Sequence, residues 1–467
     1  MKKRILLVVL AMLMTIGCFT ACTGGDNGGS KDGKITVELG IWPLETMAED
    51  VKFFKEMAEE FNEKYPNVTI KGNHYTYATD NFVSMYESET LPTIFETWYT
   101  EPKKLISNTF VKDITALYDE RGWKMDADVQ AILSDEDGNL YGIPRDAYVF
   151  GIHCNKAVFK EAGLVDADGY VKAPKTWDEL AEYAQTIKKK TGKAGIVILA
   201  ADNSGGWQFT EIAWCFGASF QEQDADGRWT CNLNSKEAVA AMKYVYDLKW
   251  KYDAINDDPL QSKWDTGFEY IYTYGAGMYM AAQDSVDQYN LNSGFDKSDL
   301  AMIAIPEGPA GQVALLGGTP YMFPSYVSDE EVNACFDFLQ LWGKAPATDE
   351  NAKKNIRQGY EVKIVKGVPN ITPYYCWDDE EYIKLLDEIH EEYKNVDAKD
   401  YESYYAMLDK EGVIRSEEPQ ISQDMYGELT KVLQVVLTEK NCDIQKLLDT
   451  ADENFQKILD LKVNNAE

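Results

Sequence analysis

From Lys34 to Trp42 apolar residues (Ile35, Val37, Leu39, Ile41) alternate with Thr36, Glu38 and Gly40, the two-residue period of a β-strand. The period then lengthens. Val51, Phe54, Met57, Ala58, Phe61 and Tyr65 recur at helical spacing until Pro66 stops the run, and Val68-Thr69-Ile70 reads as a second strand. Strand, helix, strand in that order predicts a parallel pair with a right-handed crossover. Ligands of such sheets collect at the carboxyl ends of strands, which is where Trp42 falls. The run Thr93 to Tyr99 repeats the arrangement and offers Trp98.

Between residues 140 and 180 the signals are densest. Tyr141-Gly142-Ile143-Pro144 predicts an edge strand closing at its proline, and Ala147 to His153 a second, buried strand. Lys156 to Ala162 predicts a helix ending in a left-handed cap at Gly163. Thr176 predicts an N-cap, with Glu179 completing a capping box, for a helix whose core stripe is Leu180, Tyr183, Ala184 and Ile187. Further on, Asn203 to Trp207 reads as a loop, and helical periodicity resumes at Phe209 to Cys215 and at Ser235 to Trp250. The aromatic, glycine-rich stretch from Phe268 to Met280 leads to Asp284. Gly317-Gly318 leaves room for a close backbone approach or a hinge. Clustered aromatics end at Trp377, and Tyr426 to Leu461 predicts two helices parted near Asn441.

At the start of the chain, Lys2-Lys3-Arg4 precede an apolar run from Ile5 to Phe19, then Thr20-Ala21-Cys22. A basic region, a short apolar region and small residues before a cleavage point predict a secretory signal over residues 1–21. Its ~15 apolar residues fall short of the ~20 that span a bilayer. Cys22, followed by the glycine-rich tether 22–33, has the form of a lipobox acceptor, with Cys18 a rival. Without the signal, 43 basic residues face 78 acidic ones, a net charge of −35, which disfavours nucleic acid and polyanions and leaves uncharged polar ligands open. The six remaining cysteines are scattered without a C-x-x-C, so neither a zinc site nor a redox motif is predicted.

Three Asp-Gly stretches, 135–138, 166–169 and 224–227, invite a calcium reading. The twelve-residue loop rejects it, because position one would be Leu133, Leu164 or Glu222 and position twelve Pro144, Lys175 or Leu233. Hairpin turns are the better expectation. No metal or other cofactor is predicted, and the chain has no G-x-S-x-G and no phosphate-binding loop of the Walker type. A glycosidase needs only two carboxylates at the right separation, so composition leaves that class open.

Within the forty residues from Tyr141 to Leu180, Tyr141-Gly142-Ile143-Pro144, Asn155-Lys156, Phe159, Ala162-Gly163-Leu164 and Pro174 with Thr176 to Leu180 carry a resemblance. In kind and spacing they resemble the extracellular solute-binding proteins of bacterial ABC importers, in the carbohydrate-binding family that includes maltose-binding protein. Cys154 stands where that family usually has tyrosine. The resemblance implies an α/β, two-lobed, type II periplasmic-binding-protein-like fold with a hinge and an interlobe cleft, and no catalysis. The lobes would be 34–147 with 284–318, and 148–283 with 319–467. It further implies a monomer, lipid-anchored outside the bacterial cytoplasmic membrane, that passes a carbohydrate to the importer's permease subunits. Sugar rings have apolar faces and hydroxyl rims, so a site needs flat aromatics and directional acceptors. Trp42, Trp98, Tyr148, Trp207 and Trp377 are the stacking candidates, Asp146 and Asp284 the hydroxyl acceptors, and Gly318 the close-approach position. A glycoside-active enzyme, a binder of another polar solute and a structural surface lipoprotein are the alternatives.

Overall fold

The computed structural model describes residues 34–289 and 294–465, so the predicted signal, the tether and the lipidation candidate Cys22 lie outside the described residues. Strands β1 (Ile35–Leu39) and β2 (Val68–Gly72) pair in parallel around the helix Ala48–Lys64, as the change of period predicts. Ile94 bridges to Leu39, and β3 (Phe95–Glu96) follows it. The helix buries Val51, Phe54, Met57, Ala58 and Phe61 against this layer.

A fourteen-residue strand, β4 (Gly142–Asn155), runs through the middle of the molecule. The remaining strands are β5 (Ala194–Val197), the hairpin β6 (Gln221–Gln223) and β7 (Trp229–Cys231), β8 (Ala276–Ala282), β9 (Leu300–Ile303), β10 (Ala314–Met322) and β11 (Ile414–Ser416). The large sheet has the order β11-β10-β4-β8-β5, with β3 also on β10 and β9 also on β4. The near half of β4 pairs antiparallel with β10, and the far half lies between β8 and β9.

One continuous strand replaces the two that the sequence predicts. Pro144 does not close it, because Pro320 stands opposite at a bulge and neither residue has an N–H to lose from the ladder. The Asn203–Trp207 loop is also corrected. The helix Ser204–Cys215 begins there, so Trp207 stands on its first turn.

The pairings run against the expected boundaries of the later segments. β9 joins the far half of β4, which places it with the second lobe. The helices Asp329–Trp342 and Glu350–Val365 pack on β1 and on the Ala48–Lys64 helix, where Phe61 meets Phe338 and Lys366 pairs with Asp50. They belong with the first lobe. The chain crosses along β10 from the second lobe to the first, a direction that the strand's residue pattern does not encode. It returns near residues 395–397, where Asn395 still holds Asn370 and Asp397 already accepts from Tyr170.

Local signals hold elsewhere. Gly163 is left-handed (φ 73°) after the Lys156–Ala162 helix. The Thr176 hydroxyl caps the Glu179 amide of the helix Trp177–Thr191, but Glu179 accepts from Lys175 rather than from Thr176, shifting the box by one residue. In all three Asp-Gly loops a carboxylate accepts backbone amides and the glycine is left-handed, the turn chemistry expected in place of calcium. Among the described residues no acidic, histidine or cysteine cluster has metal-holding geometry, and the six cysteines are free thiols. No described helix is long and apolar enough to cross a membrane.

Candidate functional site

The site grows from the middle of β4, where the strand passes from one lobe to the other. Arg145 binds Glu96 (Nη1–Oε2 2.7 Å) and its neighbour Asp146 (Nε–Oδ2 2.6 Å), and the Thr319 amide donates to the other Asp146 oxygen at 3.2 Å. Asp146 thus has both oxygens already engaged. Two residues on, Tyr148 packs its ring over Gly317, while Gly318 receives the ring of Tyr99. A β-carbon at either glycine would overlap an aromatic ring. The Gly318 space is therefore filled by Tyr99, and a ligand would meet Tyr148 rather than bare backbone.

Trp207 stands edge-on to Tyr148 (6.3 Å between centroids), Phe150 (4.5 Å) and Trp264 (5.2 Å). It is half-buried, a ring braced by its aromatic neighbours. Next to it the buried Gln283 closes the end of β8. Its amide oxygen accepts from the Val149 amide and the Tyr404 hydroxyl, and its nitrogen donates to the Ala147 carbonyl. Asp284 follows immediately and is exposed. Its carboxyl is nonetheless held well above the usual range, first by lost hydration and then by the charge of Asp146. A group that solvent reaches while protein surrounds it lines a recess.

Glu417 completes the ring of carboxyls. It follows β11, accepts from the Tyr426 hydroxyl at 2.8 Å, and is pushed up to about 7 by lost hydration, a rise opposed by Tyr426 and the Trp207 indole. Its charge and that of Asp284 both bear on Tyr148. Opposite, Lys344 has its pKa lowered by lost hydration and then by Arg145. Lys344 also lies over the Trp342 ring, which continues through Phe54 to Trp42.

Of the residues predicted for the site, Asp146, Tyr148, Trp207, Asp284 and Gly318 come together at the crossover. Trp42 is half-buried on the same wall as Lys344, packed over Gly72. Trp98 is 42% exposed at the rim, edge-on to Tyr77. Trp377 is buried, edge-on to Trp123. Arg145, Glu96, Lys344, Glu417 and Gln283 were not predicted. Arg145 had a signal in its place beside Asp146 on a strand end, whereas Glu417 and Lys344 reach the site only through tertiary packing. The lobes also touch across the cleft, where Gln423 donates to Thr100 (3.3 Å) and Lys363 pairs with Asp287 (3.4 Å).

Residues 45–349 match the family described as bacterial extracellular solute-binding protein. The chain belongs to that family. Its members are exported binding proteins rather than enzymes, in keeping with the reading of a cleft that captures a solute. The arabinooligosaccharide-binding protein of Bacillus subtilis is 28% identical over 257 residues, 53% of this chain and 54% of that one. The sn-glycerol-3-phosphate-binding periplasmic protein of Escherichia coli K12 is 26% identical over 162 residues, 32% and 34% of the two chains. The match thus spans about half the length of the first relative and a third of the second. Among solved structures, an ABC transporter solute-binding protein from Thermotoga lettingae bound with α-D-tagatose aligns at a TM-score of 0.68 and 18% identity, covering 91% of this solute-binding protein and all of that chain. A Listeria monocytogenes substrate-binding protein in complex with cycloalternan aligns at 0.67 and 14%, covering 91% and 99%. At these identities the likeness speaks for the two-lobed fold alone.

Proposed function

We propose that this solute-binding protein captures a carbohydrate, an oligosaccharide by the number of its candidate aromatic platforms, and delivers it unchanged to the permease subunits of an ABC importer. One observation carries the reading. At the crossover, braced aromatic edges (Tyr148, Trp207) stand among enclosed carboxyls (Asp146, Asp284, Glu417), the pairing of apolar surface with directional acceptors that a polyhydroxylated ring requires. The arabinooligosaccharide relative supports a glycan. The glycerol-phosphate relative favours an anion, but the Asp146 charge that, after lost hydration, raises the Asp284 carboxyl would also repel a phosphate dianion.

In this reading β4, β10 and the return near residues 395–397 form the hinge, and closure buries the sugar between Trp42 and Trp98 of one lobe and Tyr148 and Trp207 of the other. Cys22, outside the described residues, is the lipid-carrying residue of a monomer held at the outer face of the cytoplasmic membrane. The test is a thermal-shift screen of residues 31–467 with arabino-, malto- and cello-oligosaccharides, their monosaccharides and sn-glycerol 3-phosphate. A true ligand at a hundredfold over its Kd adds about 2.7 kcal/mol to stability. Stabilisation by one glycan that is recovered intact supports the proposal. New reducing ends would make the protein an enzyme, and a response to the phosphate alone would overturn the carbohydrate reading.

A further inference from the structure

Most charged groups around the cleft have partners. Arg145 is shared between Glu96 and Asp146, Lys363 pairs with Asp287 across the lobes, and Glu417 accepts from the Tyr426 hydroxyl. Lys344 and Asp284 differ: among the described residues neither side chain makes a hydrogen bond or an ion pair.

The fold fixes where Lys344 stands. The helix Asp329–Trp342 ends at Gly343 in the left-handed conformation (φ 77°), and the amides of Gly343 and Lys344 return to the Gln340 and Leu339 carbonyls at 3.0 and 2.8 Å. The Gly343 carbonyl accepts from the Tyr382 hydroxyl at 2.6 Å, which pins the turn. From there the Lys344 side chain lies back over the Trp342 ring, its Nζ 5.3 Å from the centroid, and Trp342 is itself half-buried and edge-on to Phe54. The charges that bear on the ammonium are Arg145 and Asp146 at the crossover and Lys363 and Asp287 between the lobes. Both acids are already engaged, Asp146 by Arg145 and the Thr319 amide, Asp287 by Lys363. The ammonium thus stands half-buried beside an aromatic face, short of water and without a counter-ion.

Such a charge costs the ligand-free protein stability until something supplies an oxygen to it. We infer that Lys344 is a specificity-determining residue: its ammonium donates to a ring or hydroxyl oxygen of a glycan that lies along Trp342, while Asp284, which follows β8 of the second lobe, accepts from another hydroxyl of the same ligand. The nature of the ligand rests on the carbohydrate reading above. A hydroxyl both accepts and donates, so a neutral glycan satisfies a lone cation and a lone carboxyl at once, whereas an anion without hydroxyls satisfies only the first.

The test is calorimetry with arabinotriose, maltotriose and cellotriose on wild type, Lys344→Met and Lys344→Gln, together with the melting temperature of each protein without ligand. Methionine retains most of the lysine stem and keeps contact with the Trp342 ring through its sulfur, but donates nothing; glutamine keeps an uncharged N–H donor. For the trisaccharide that wild type binds, Lys344→Met raises Kd about ten- to a hundredfold, and Lys344→Gln raises it less. Without ligand, Lys344→Met melts above wild type, because an unpaired and poorly hydrated charge has gone. A lysine that merely supported the fold would give the reverse. Unchanged affinity in Lys344→Met, or ligand-free melting at or below that of wild type, overturns the inference. If wild type binds none of the three sugars, the carbohydrate reading fails, and the melting temperatures alone decide whether Lys344 is held for a ligand or serves the fold.

Discussion

At Gly317 the hydrogen side chain is what lets the Tyr148 ring lie flat on β10. Alanine there would overlap the ring, and the ring has the strand ladder on one side and Trp207 on the other. We expect Gly317→Ala to cost about 1–3 kcal/mol in denaturant unfolding, as overpacking does, and to weaken glycan binding in calorimetry far more than an exposed substitution such as Lys384→Ala. Equal affinity in the two variants would mean that Tyr148 does not touch the ligand. Single residues were legible in the sequence when a local feature marked them. Asp146 and Trp42 ended predicted strands, and the structure sets Asp146 at the crossover and Trp42 half-buried over Gly72. Trp377 carried the same composition signal and lies in the core, because an indole in a run of aromatics has no local mark that separates a wall from an interior. Glu417 and Lys344 were invisible for the converse reason, since their charges matter only beside Tyr148 and Arg145, which packing brings to them.

Elements were legible where the chain itself supplies the stop. Thr176, Gly163 and Pro66 bound helices that formed as expected, since caps and proline act within one turn. β4 was misread as two strands because the effect of Pro144 depends on what faces it, and what faces it is Pro320. The same dependence governs the helix Ser204–Cys215. Gly206 lies so close to the Tyr426 carbonyl that any β-carbon would overlap it, and its amide donates to Thr430 at 2.8 Å. Gly206→Ala must push this helix away from Ser422–Thr438, taking Trp207 with it. A loss above about 2 kcal/mol in urea unfolding is expected, together with a changed Trp207 emission. An unchanged emission would show that the helix can shift without disturbing the cleft.

For the molecule as a whole, the formal net charge of −32 is its largest electrostatic fact. Like charge on that scale works against the compact state, and salt screens it. The melting temperature is therefore expected to rise between about 0.05 M and about 0.5 M sodium chloride, within which the Debye length shrinks from beyond 10 Å to a few ångströms. A fall would mean that the ion pairs, Arg145 with Glu96 and Lys156 with Asp400 among them, outweigh the general repulsion. Two lobes, a hinge and a parallel first sheet could be expected from element order and resemblance. The direction of the second crossing could not, because β10 is buried in both lobes and reads alike from either end.

The central strand also sets a timetable. Asp146 meets Thr319, 173 positions later, and the near half of β4 has no antiparallel neighbour until β10 exists. A chain threaded outward from its amino terminus would thus present β4 long before β10 could cover it, and the first lobe would wait for residues beyond 322 to finish its sheet. Contacts of such separation fold slowly. For a member of an exported family that delay is useful, because a polypeptide that cannot close early stays thin enough to pass through a membrane pore, and its lobes become solid only on the side where they work.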